Sequence, residues 1–215
     1  MTKGSLVIII MAKPSFKRRK ESRPAEITAA AIEEFALNGY ESTRIIDIAQ
    51  RANISKGLLY LYFKTKEELF KSAIRGFISP RIEELRSSIE ESNLSAEKFL
   101  RGPYLNLIKQ IPKSKIRILV RLMIAEGPKH PDLVAYYWEN VVSKGLAVLR
   151  QIINKGIKDG EFKETCLEKF PQLLFSPVVL SVIWTIIFKN QQDLDTDAML
   201  EAHVNLLIDA ITVNK

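Results

Sequence analysis

Apolar residues recur along the chain at the three- and four-residue spacing of amphipathic helices, and no stretch shows the alternation of a half-buried strand. Between Pro24 and Asn38, for example, Ile27, Ala31 and Phe35 form one inward-facing stripe. Signals for helix starts and helix ends then follow one another along the chain. The pattern predicts an all-α fold of about nine helices.

Glycine and proline positions give most of the predicted helix boundaries. Proline interrupts helical hydrogen bonding, and glycine or asparagine can end a helix in a left-handed conformation. The predicted helices are 24–38, 43–53, 55–63, 66–91 with a bend at Pro80, 96–110 disturbed at Gly102-Pro103, 115–126, 132–158, 167–189 and 197–212.

The helices 43–53 and 55–63 are short, and the tight turn 52–54 joins them, which is the pattern of a helix-turn-helix. Asn53 is suited to this turn because asparagine tolerates a positive φ better than most residues. Ser55 is a predicted N-cap, since a serine side chain accepts a hydrogen bond from the first helical turn.

The second of these helices has two different sides. Leu59 and Phe63 lie four residues apart and are predicted to pack toward Ile48 and Ala49. The opposite side can meet phosphates through its N–H groups and hydroxyls, and Lys56 can reach guanine O6 or N7 in the major groove. That side carries Lys56, Gly57, Tyr60, Tyr62 and Lys64.

Positive charge is concentrated near the start of the chain. The net charge of +7 divides into +6 for residues 1–75 and +1 for residues 76–215. This asymmetry is typical of proteins that face a polyanion, either nucleic acid or an anionic membrane. The run Lys17-Arg18-Arg19-Lys20 is predicted to be an arm that binds DNA, and a solvated tail is the alternative.

Other features argue against secretion and membrane insertion. The single Cys166 excludes an internal disulfide and favours a reducing, cytoplasmic setting. Residues 1–10 are expected to be disordered or a false translation start, because their apolar run is short for a signal peptide. The apolar run 173–188 is shorter than the ~20 residues that span a bilayer, so we expect a buried helix and no membrane partner.

The chain offers no recognisable catalytic or metal site. His130 and His203 lie far apart without a cysteine partner, so we interpret them as a turn or cap residue and a helix-surface or interface residue. A glycine-rich phosphate loop, a nucleophile elbow and a catalytic carboxylate pair are all missing from the sequence. We therefore expect neither enzymatic activity nor a cofactor.

Residues 24–70 resemble the DNA-binding domain of the TetR/AcrR family of bacterial transcriptional regulators. Asn53 stands where the family usually has glycine, and Tyr62 replaces a common histidine. The residues that carry the resemblance are Phe35, Gly39, Tyr40, Thr43, Ile48, Ala49, Ala52, Ile54, Ser55, Gly57, Leu59, Tyr60, Phe63, Lys66, Glu67 and Leu69.

The resemblance implies a flexible basic arm over 1–20, a helix-turn-helix domain over 21–75 and a helical ligand-sensing and dimerisation domain over 76–215. It places Lys56, Gly57 and Leu58 nearest the bases. Phosphate contacts are expected from Thr43, Ser55, Tyr60, Tyr62 and Lys66. Further DNA-binding candidates are Lys17, Arg18 and Arg19 in the arm, together with Arg44 and Lys64.

In this family the last two helices of each subunit form a four-helix dimer interface, and here they would be 167–189 and 197–212. The interface candidates, some of which must belong to the monomer core, are Leu173, Val178, Ile183, Ile187, Leu200, Val204, Leu207 and Ile211. The candidates for an apolar effector pocket, each of which could instead be plain core, are Tyr104, Met123, Tyr137, Trp138, Phe175 and Trp184.

These expectations combine into a homodimeric, DNA-binding transcriptional regulator, and specifically a repressor. A small-molecule effector would release it from a palindromic operator in double-stranded DNA, which two recognition helices about 34 Å apart can read. The alternative is a helical protein that binds a lipophilic ligand or an anionic surface and not DNA.

Overall fold

The structure is a computed structural model that describes residues 16–91 and 93–213, with side chains from Ser22 onward except at residue 90. Within these ranges the chain is helical without a named strand, which confirms the all-α prediction. The helices are α1 (Phe16–Ser42), α2 (Ile45–Arg51), α3 (Lys56–Tyr62), α4 (Lys66–Phe77), α5 (Ser79–Glu91), α6 (Ala96–Phe99), α7 (Leu105–Gln110), α8 (Ile116–Glu126), α9 (Pro131–Tyr137), α10 (Ser143–Lys158), α11 (Gln172–Ile187) and α12 (Thr196–Ile211).

The first helix differs from its predicted span at both ends. It begins at Phe16 rather than at Pro24, so Pro24 lies inside the helix, where its missing N–H leaves one helical hydrogen bond unmade. It continues to Ser42 through a sharp kink at Gly39, whose φ of 76° and ψ of 171° are essentially restricted to glycine. The predicted stop at Asn38 and Gly39 therefore marks a break in the helix axis.

Helices α1 to α4 make up most of the predicted DNA-binding domain. Phe35 of α1, Ile48 of α2, Leu59 of α3 and Phe70 of α4 are fully buried and belong to one core. The predicted helix 66–91 is divided at Ile78 into α4 and α5, so the chain turns close to the predicted bend at Pro80.

The remaining helices form the larger domain, in which two wide π-helical turns interrupt otherwise continuous helices. Leu100–Tyr104 joins α6 to α7 and contains the predicted disturbance at Gly102-Pro103. Trp138–Val142 joins α9 to α10 inside the predicted helix 132–158. Such turns rotate the following residues relative to a regular α-helix. Throughout the part of the chain that is described, every helix is too short or too polar to cross a membrane.

Candidate DNA-binding surface and effector cavity

The turn between α2 and α3 has the geometry that a helix-turn-helix requires. Asn53 has a φ of 54°, as its residue type predicts, and the following N–H of Ile54 donates to the carbonyl of Ala49 at 3.0 Å. The hydroxyl of Ser55 accepts from the N–H of Leu58 at 3.1 Å, which makes Ser55 the N-cap of α3. Both ends of the turn are thus held by local hydrogen bonds.

The two sides of α3 separate as predicted. Leu59 and Phe63 are buried against the domain, while Lys56 and Gly57 are exposed. The ammonium of Lys56 lies 5.8 Å from the ring centroid of Tyr60, so a cation and an aromatic ring stand together on the outer side. This outer side joins a positive charge, a phenol hydroxyl and accessible backbone, which is the chemistry of a DNA-reading surface.

Gly57 leaves the first turn of α3 open to approach from outside. A Cβ placed there would meet only the Ser55 hydroxyl at 4.0 Å within the protein. The half-buried Leu58 follows it. A partner could therefore come close to the backbone at this position.

Leu61 is an addition to this surface that the sequence analysis missed. Its side chain is 74% exposed, although it lies within the apolar run of α3. The signal was present, because roughly 200° of helical rotation separates Leu61 from the buried Leu59. An exposed leucine here can contact sugar or a thymine methyl.

Two expected phosphate contacts are corrected by the structure. Thr43 is buried, and its hydroxyl donates to the carbonyl of Gly39 at 2.6 Å. The ammonium of Lys66 donates to the carbonyl of Glu41 at 2.7 Å and lies 4.7 Å from the centroid of the Tyr40 ring, where burial lowers the pKa of Lys66. Both side chains bind the kinked end of α1, so the hydroxyl of Thr43 is shielded from a partner and the ammonium of the half-buried Lys66 is engaged within the protein.

The remaining basic candidates differ in their present partners. Arg44 is exposed and forms a two-pronged ion pair with Asp47, with both N–O distances at 2.9 Å, and this pair lowers the pKa of Asp47. Lys64 is exposed, and its ammonium donates to the carbonyl of Tyr60 at 2.6 Å. Tyr62 is half-buried against the core. The side chains of Lys17, Arg18 and Arg19 lie outside the described residues.

The larger domain contains a cavity of about 380 Å³ between α5, α7, α8, α10 and α11. This volume is within the range of small-molecule sites. Of the described residues that line it, Arg81 alone is charged. Most of the wall is aliphatic or aromatic, and representative members are Ile82, Leu107, Val120, Leu149, Phe175 and Val179.

Four of the six pocket candidates line this cavity, namely Tyr104, Met123, Tyr137 and Phe175. The hydroxyl of Tyr104 donates to the carbonyl of Leu174 at 3.0 Å, and burial raises the pKa of Tyr104 well above its usual range. Burial also raises the pKa of Tyr137 to about 12. Both phenols therefore stay neutral near pH 7.

Trp138 and Trp184 do not line the cavity, which corrects their assignment. Trp138 is 54% exposed and is the first residue of the wide turn Trp138–Val142. Trp184 packs on Phe188, and its indole N–H donates to the carbonyl of Gln192 at 3.0 Å. The aromatic character of these residues gave no information about which way they face.

The interface candidates divide between the core of the subunit and its surface. Val178, Leu200, Val204 and Ile211 are buried within the single chain, so they are unavailable to a partner. Leu173 and Ile187 are exposed, whereas Ile183 and Leu207 are half-buried. Neighbouring exposed residues on α11 and α12 that were not predicted are Leu180, Ile186 and Leu206.

Helix α8 connects the cavity to the DNA-binding domain. Met123 and Ile124 line the cavity, and Glu126 follows them at the end of the same helix. The carboxylate of Glu126 accepts hydrogen bonds from the backbone N–H groups of Tyr40 and Glu41, both at 2.7 Å. The end of α8 is thus attached to the segment that follows the kink in α1.

Two further side chains of α8 and its preceding turn strengthen this attachment. Arg121 donates to the carbonyl of Ala36 at 2.6 Å, near the kinked end of α1. Lys115 lies 2.8 Å from Glu33 and, together with Arg51, lowers the pKa of that carboxyl. The contacts join residues that are 82 and 85 positions apart in the sequence, which no local pattern could reveal.

Tyr40 is the centre of an aromatic cluster at this junction. Its ring centroid lies 5.3 Å from that of Phe35, 5.7 Å from that of Phe70 and 4.8 Å from that of His130. His130 directly precedes α9 in a turn, as interpreted, and its Nε2 lies 3.1 Å from the carboxylate of Glu41 without forming a hydrogen bond. The second histidine, which is half-buried on α12, has its Nε2 2.8 Å from the carbonyl of Leu173 on α11.

The sequence agrees with known families over both domains. The profile described as bacterial regulatory proteins of the tetR family matches residues 27–73, and that of the AefR-like transcriptional repressor C-terminal domain matches residues 100–210, more than half of the chain. The protein belongs to the TetR family. The prediction of a DNA-binding transcriptional regulator is confirmed, and binding of a lipophile or an anionic surface without DNA is not favoured.

Named relatives of this TetR-family protein are similar over most of its length. It is 27% identical over 195 residues to the fatty acid metabolism regulator protein of Bacillus subtilis (strain 168), covering 89% of this chain and 98% of the relative. It is 25% identical over 142 residues to the HTH-type transcriptional repressor KstR2 of Mycobacterium tuberculosis, covering 66% of this chain and 70% of that protein.

A solved structure supports the same arrangement of helices. The transcriptional regulator FadR from Bacillus subtilis, crystallised in complex with stearoyl-CoA, is 26% identical and superposes with a TM-score of 0.73. The match covers 87% of this chain and 98% of that chain. The TetR-family fold of both domains is therefore supported by experiment in a relative.

Proposed function

We propose that this TetR-family protein is a homodimeric repressor that binds a palindromic operator and leaves it when a molecule with a long acyl chain fills the cavity. It would act in the bacterial cytoplasm on DNA of the nucleoid. One observation carries the proposal: the almost wholly apolar cavity adjoins α8, whose last residue Glu126 binds the DNA-binding domain. The stearoyl-CoA complex of FadR supports the choice of an acyl chain.

Operator recognition is assigned to the outer side of α3 in each subunit. Lys56 supplies the side chain that reaches guanine, and Gly57 lets the backbone approach the groove. Ser55 and Tyr60 supply donors to phosphate, which fix the position of the helix without reading sequence. Arg44 joins them by exchanging its ion pair with Asp47 for a phosphate.

Dimerisation is assigned to the exposed apolar face of α11 and α12. A helix face with large exposed aliphatic side chains favours burial against another copy. The residues that carry this face are Leu173, Leu180, Ile186, Ile187 and Leu206. Two-fold pairing through this face would present two copies of α3 to successive turns of DNA.

Release follows from the attachment of α8 to α1. An acyl chain that enters the cavity packs against Met123 and Ile124 and shifts α8. Because Glu126 holds the N–H groups of Tyr40 and Glu41, such a shift moves the DNA-binding domain and changes the separation between the two α3 helices. The effector binds the displaced arrangement better, so operator affinity falls.

Fluorescence anisotropy with DNA from beside the protein's own gene tests this function. We expect specific binding that weakens steeply with salt, and a loss of about 5- to 150-fold in operator affinity for Lys56→Ala, since one good base contact contributes about 1–3 kcal/mol. The matched control Lys158→Ala removes an exposed lysine at the far end of α10. Equal binding by both variants would rule out the proposed reading surface.

Release is tested in the same assay by adding myristoyl-CoA. We expect it to lower the affinity of the wild-type protein for its operator, and short-chain acetyl-CoA to have little effect because it cannot fill the apolar cavity. If both compounds act equally, or neither acts while the protein binds DNA, the acyl-chain effector is wrong and the DNA-binding assignment remains.

A further inference from the structure

A second cavity lies directly beside the apolar one and has a different chemistry. Its volume is about 410 Å³, and it shares Arg81, Leu85 and Leu107 with the apolar cavity. We call it the polar cleft. Its other polar side chains, which belong to α5 and α7, are Glu84, Ser88, Asn106 and Gln110.

Arg81 stands where the two cavities meet. Its guanidinium donates to the carbonyl of Phe77 at the end of α4, and it is ion-paired with no carboxylate in the described parts of the chain. Arg101 of the same domain, by contrast, is paired with Glu97 and Asp209. A half-buried arginine that forms no ion pair with a described residue is suited to receive an anionic group from a ligand, and the Glu84 carboxylate that also lines the cleft is exposed to solvent.

From this juxtaposition we propose that the polar cleft is the head-group site of the effector. The acyl chain occupies the apolar cavity, and the polar, anionic head passes Arg81 into the cleft. Asn106, Gln110 and Ser88 there offer amide and hydroxyl groups to the polar atoms of the head. This inference rests on the proposed function, since it concerns the ligand of the same domain.

The shared chemistry of the ligand is therefore an acyl chain that ends in a polar, negatively charged head. A free fatty acid would set its carboxylate against Arg81. An acyl thioester of coenzyme A would place its carbonyl near Arg81 and its amide-bearing arm along Asn106 and Gln110. The cleft is as large as the apolar cavity and has more room than a carboxylate needs, so we expect the thioester to bind more tightly.

Isothermal titration calorimetry on the full protein tests the proposal with myristoyl-CoA, myristate and the uncharged methyl myristate. In the wild type both anionic probes should bind more tightly than the ester. Arg81→Gln should weaken the anionic probes by about 10- to 100-fold, the effect of losing a charge-assisted hydrogen bond, and leave the ester unchanged. Arg81→Lys should restore part of the loss because it keeps the charge.

Two further variants separate recognition from folding. Asn106→Asp adds a negative charge at an exposed position of the cleft, so it should weaken both anionic probes without lowering the melting temperature. The matched control Arg117→Gln removes an exposed arginine from α8 and should change nothing.

The possible results discriminate clearly. Equal weakening of the ester and the anionic probes by Arg81→Gln, or no weakening of any probe by it, overturns the head-group site but leaves an acyl-chain effector intact. If myristate responds to Arg81→Gln and Asn106→Asp and myristoyl-CoA does not bind, the head is a carboxylate. If no probe binds the wild type, the inference fails, and operator binding by the same sample would still uphold the DNA-binding part of the proposed function.

Discussion

Replacing Glu126 by alanine tests the connection between the effector cavity and the DNA-binding domain. The substitution removes the carboxylate that accepts from the N–H groups of Tyr40 and Glu41, at 2.7 Å each. A hydrogen bond to a charged acceptor contributes about 1.5–3 kcal/mol, and water can replace the acceptor for the exposed N–H of Glu41. We therefore expect the free energy of unfolding to fall by about 2 kcal/mol.

Calorimetry and operator binding together measure the consequence. A loss of about 2 kcal/mol should lower the melting temperature by roughly 4–8 °C in a chain of this size. The ratio of operator affinities without and with myristoyl-CoA should move toward one, because the effector no longer pulls on α1 through α8. Glu139→Ala, which removes an exposed carboxylate from the turn after α9, is the matched control and should preserve both values.

Gly39→Ala provides an independent route to the same contact. A Cβ at this position would lie 2.7 Å from Oε1 of Glu126, and the φ of 76° strains any other residue. Because both changes disrupt one contact, the double variant with Glu126→Ala should lose less stability than the two single losses added together. Full additivity, or an unchanged affinity ratio in a destabilised Glu126→Ala protein, would refute the reasoning.

Three further predictions concern packing, pH and assembly. Gly156→Ala would place a Cβ 2.2 Å from a ring carbon of Phe162 and should lower the free energy of unfolding, measured in urea, by about 1–3 kcal/mol. The control Gly145→Ala, in the same helix, adds a Cβ that meets nothing within 4 Å and should leave the free energy of unfolding unchanged. Burial and nearby carboxylates raise the pKa of Tyr40 to about 12, so its neutral form stabilises the fold fully below pH 10 and this stability is lost as pH rises toward 12. Between pH 9 and 11 the free energy of unfolding of the wild type should therefore fall by about 1 kcal/mol more than that of Tyr40→Phe. Equal falls in the two proteins would contradict the raised pKa of Tyr40. Leu206 has a side chain that is 71% exposed, and Leu206→Glu should give monomers in light scattering. The control Leu37→Glu changes a similarly exposed leucine and should leave the dimer intact. Dimers in both variants would place the interface elsewhere.

Local features of the DNA-binding domain could be predicted because single residue types determine them. Asn53 adopts the positive φ expected of it, and Ser55 caps α3 as its side chain favours. The helical period identified Leu59 as buried and Lys56 as exposed. Each of these features depends on residues only a few positions apart, so it can be predicted from the local sequence alone.

Features that depend on distant partners were missed or wrong. Thr43 and Lys66 bear groups suited to phosphate, but the kinked end of α1 supplies carbonyl partners inside the domain. Glu126 resembles an ordinary acidic helix end until the fold brings it to Tyr40, across 86 positions of sequence. Trp138 was misplaced because its aromatic character does not show which side of the helix it occupies, and 54% of it is exposed.

If acyl chains are the effectors, as proposed, the hydrocarbon wall around Ile82, Val120 and Phe175 would also limit how finely the protein can distinguish one acyl chain from the next. Each methylene that it buries contributes about 0.8 kcal/mol, which is only about fourfold in affinity. Neighbouring chain lengths therefore compete for the same cavity with similar success. Such a regulator would monitor the overall abundance of a lipid pool rather than the presence of one metabolite.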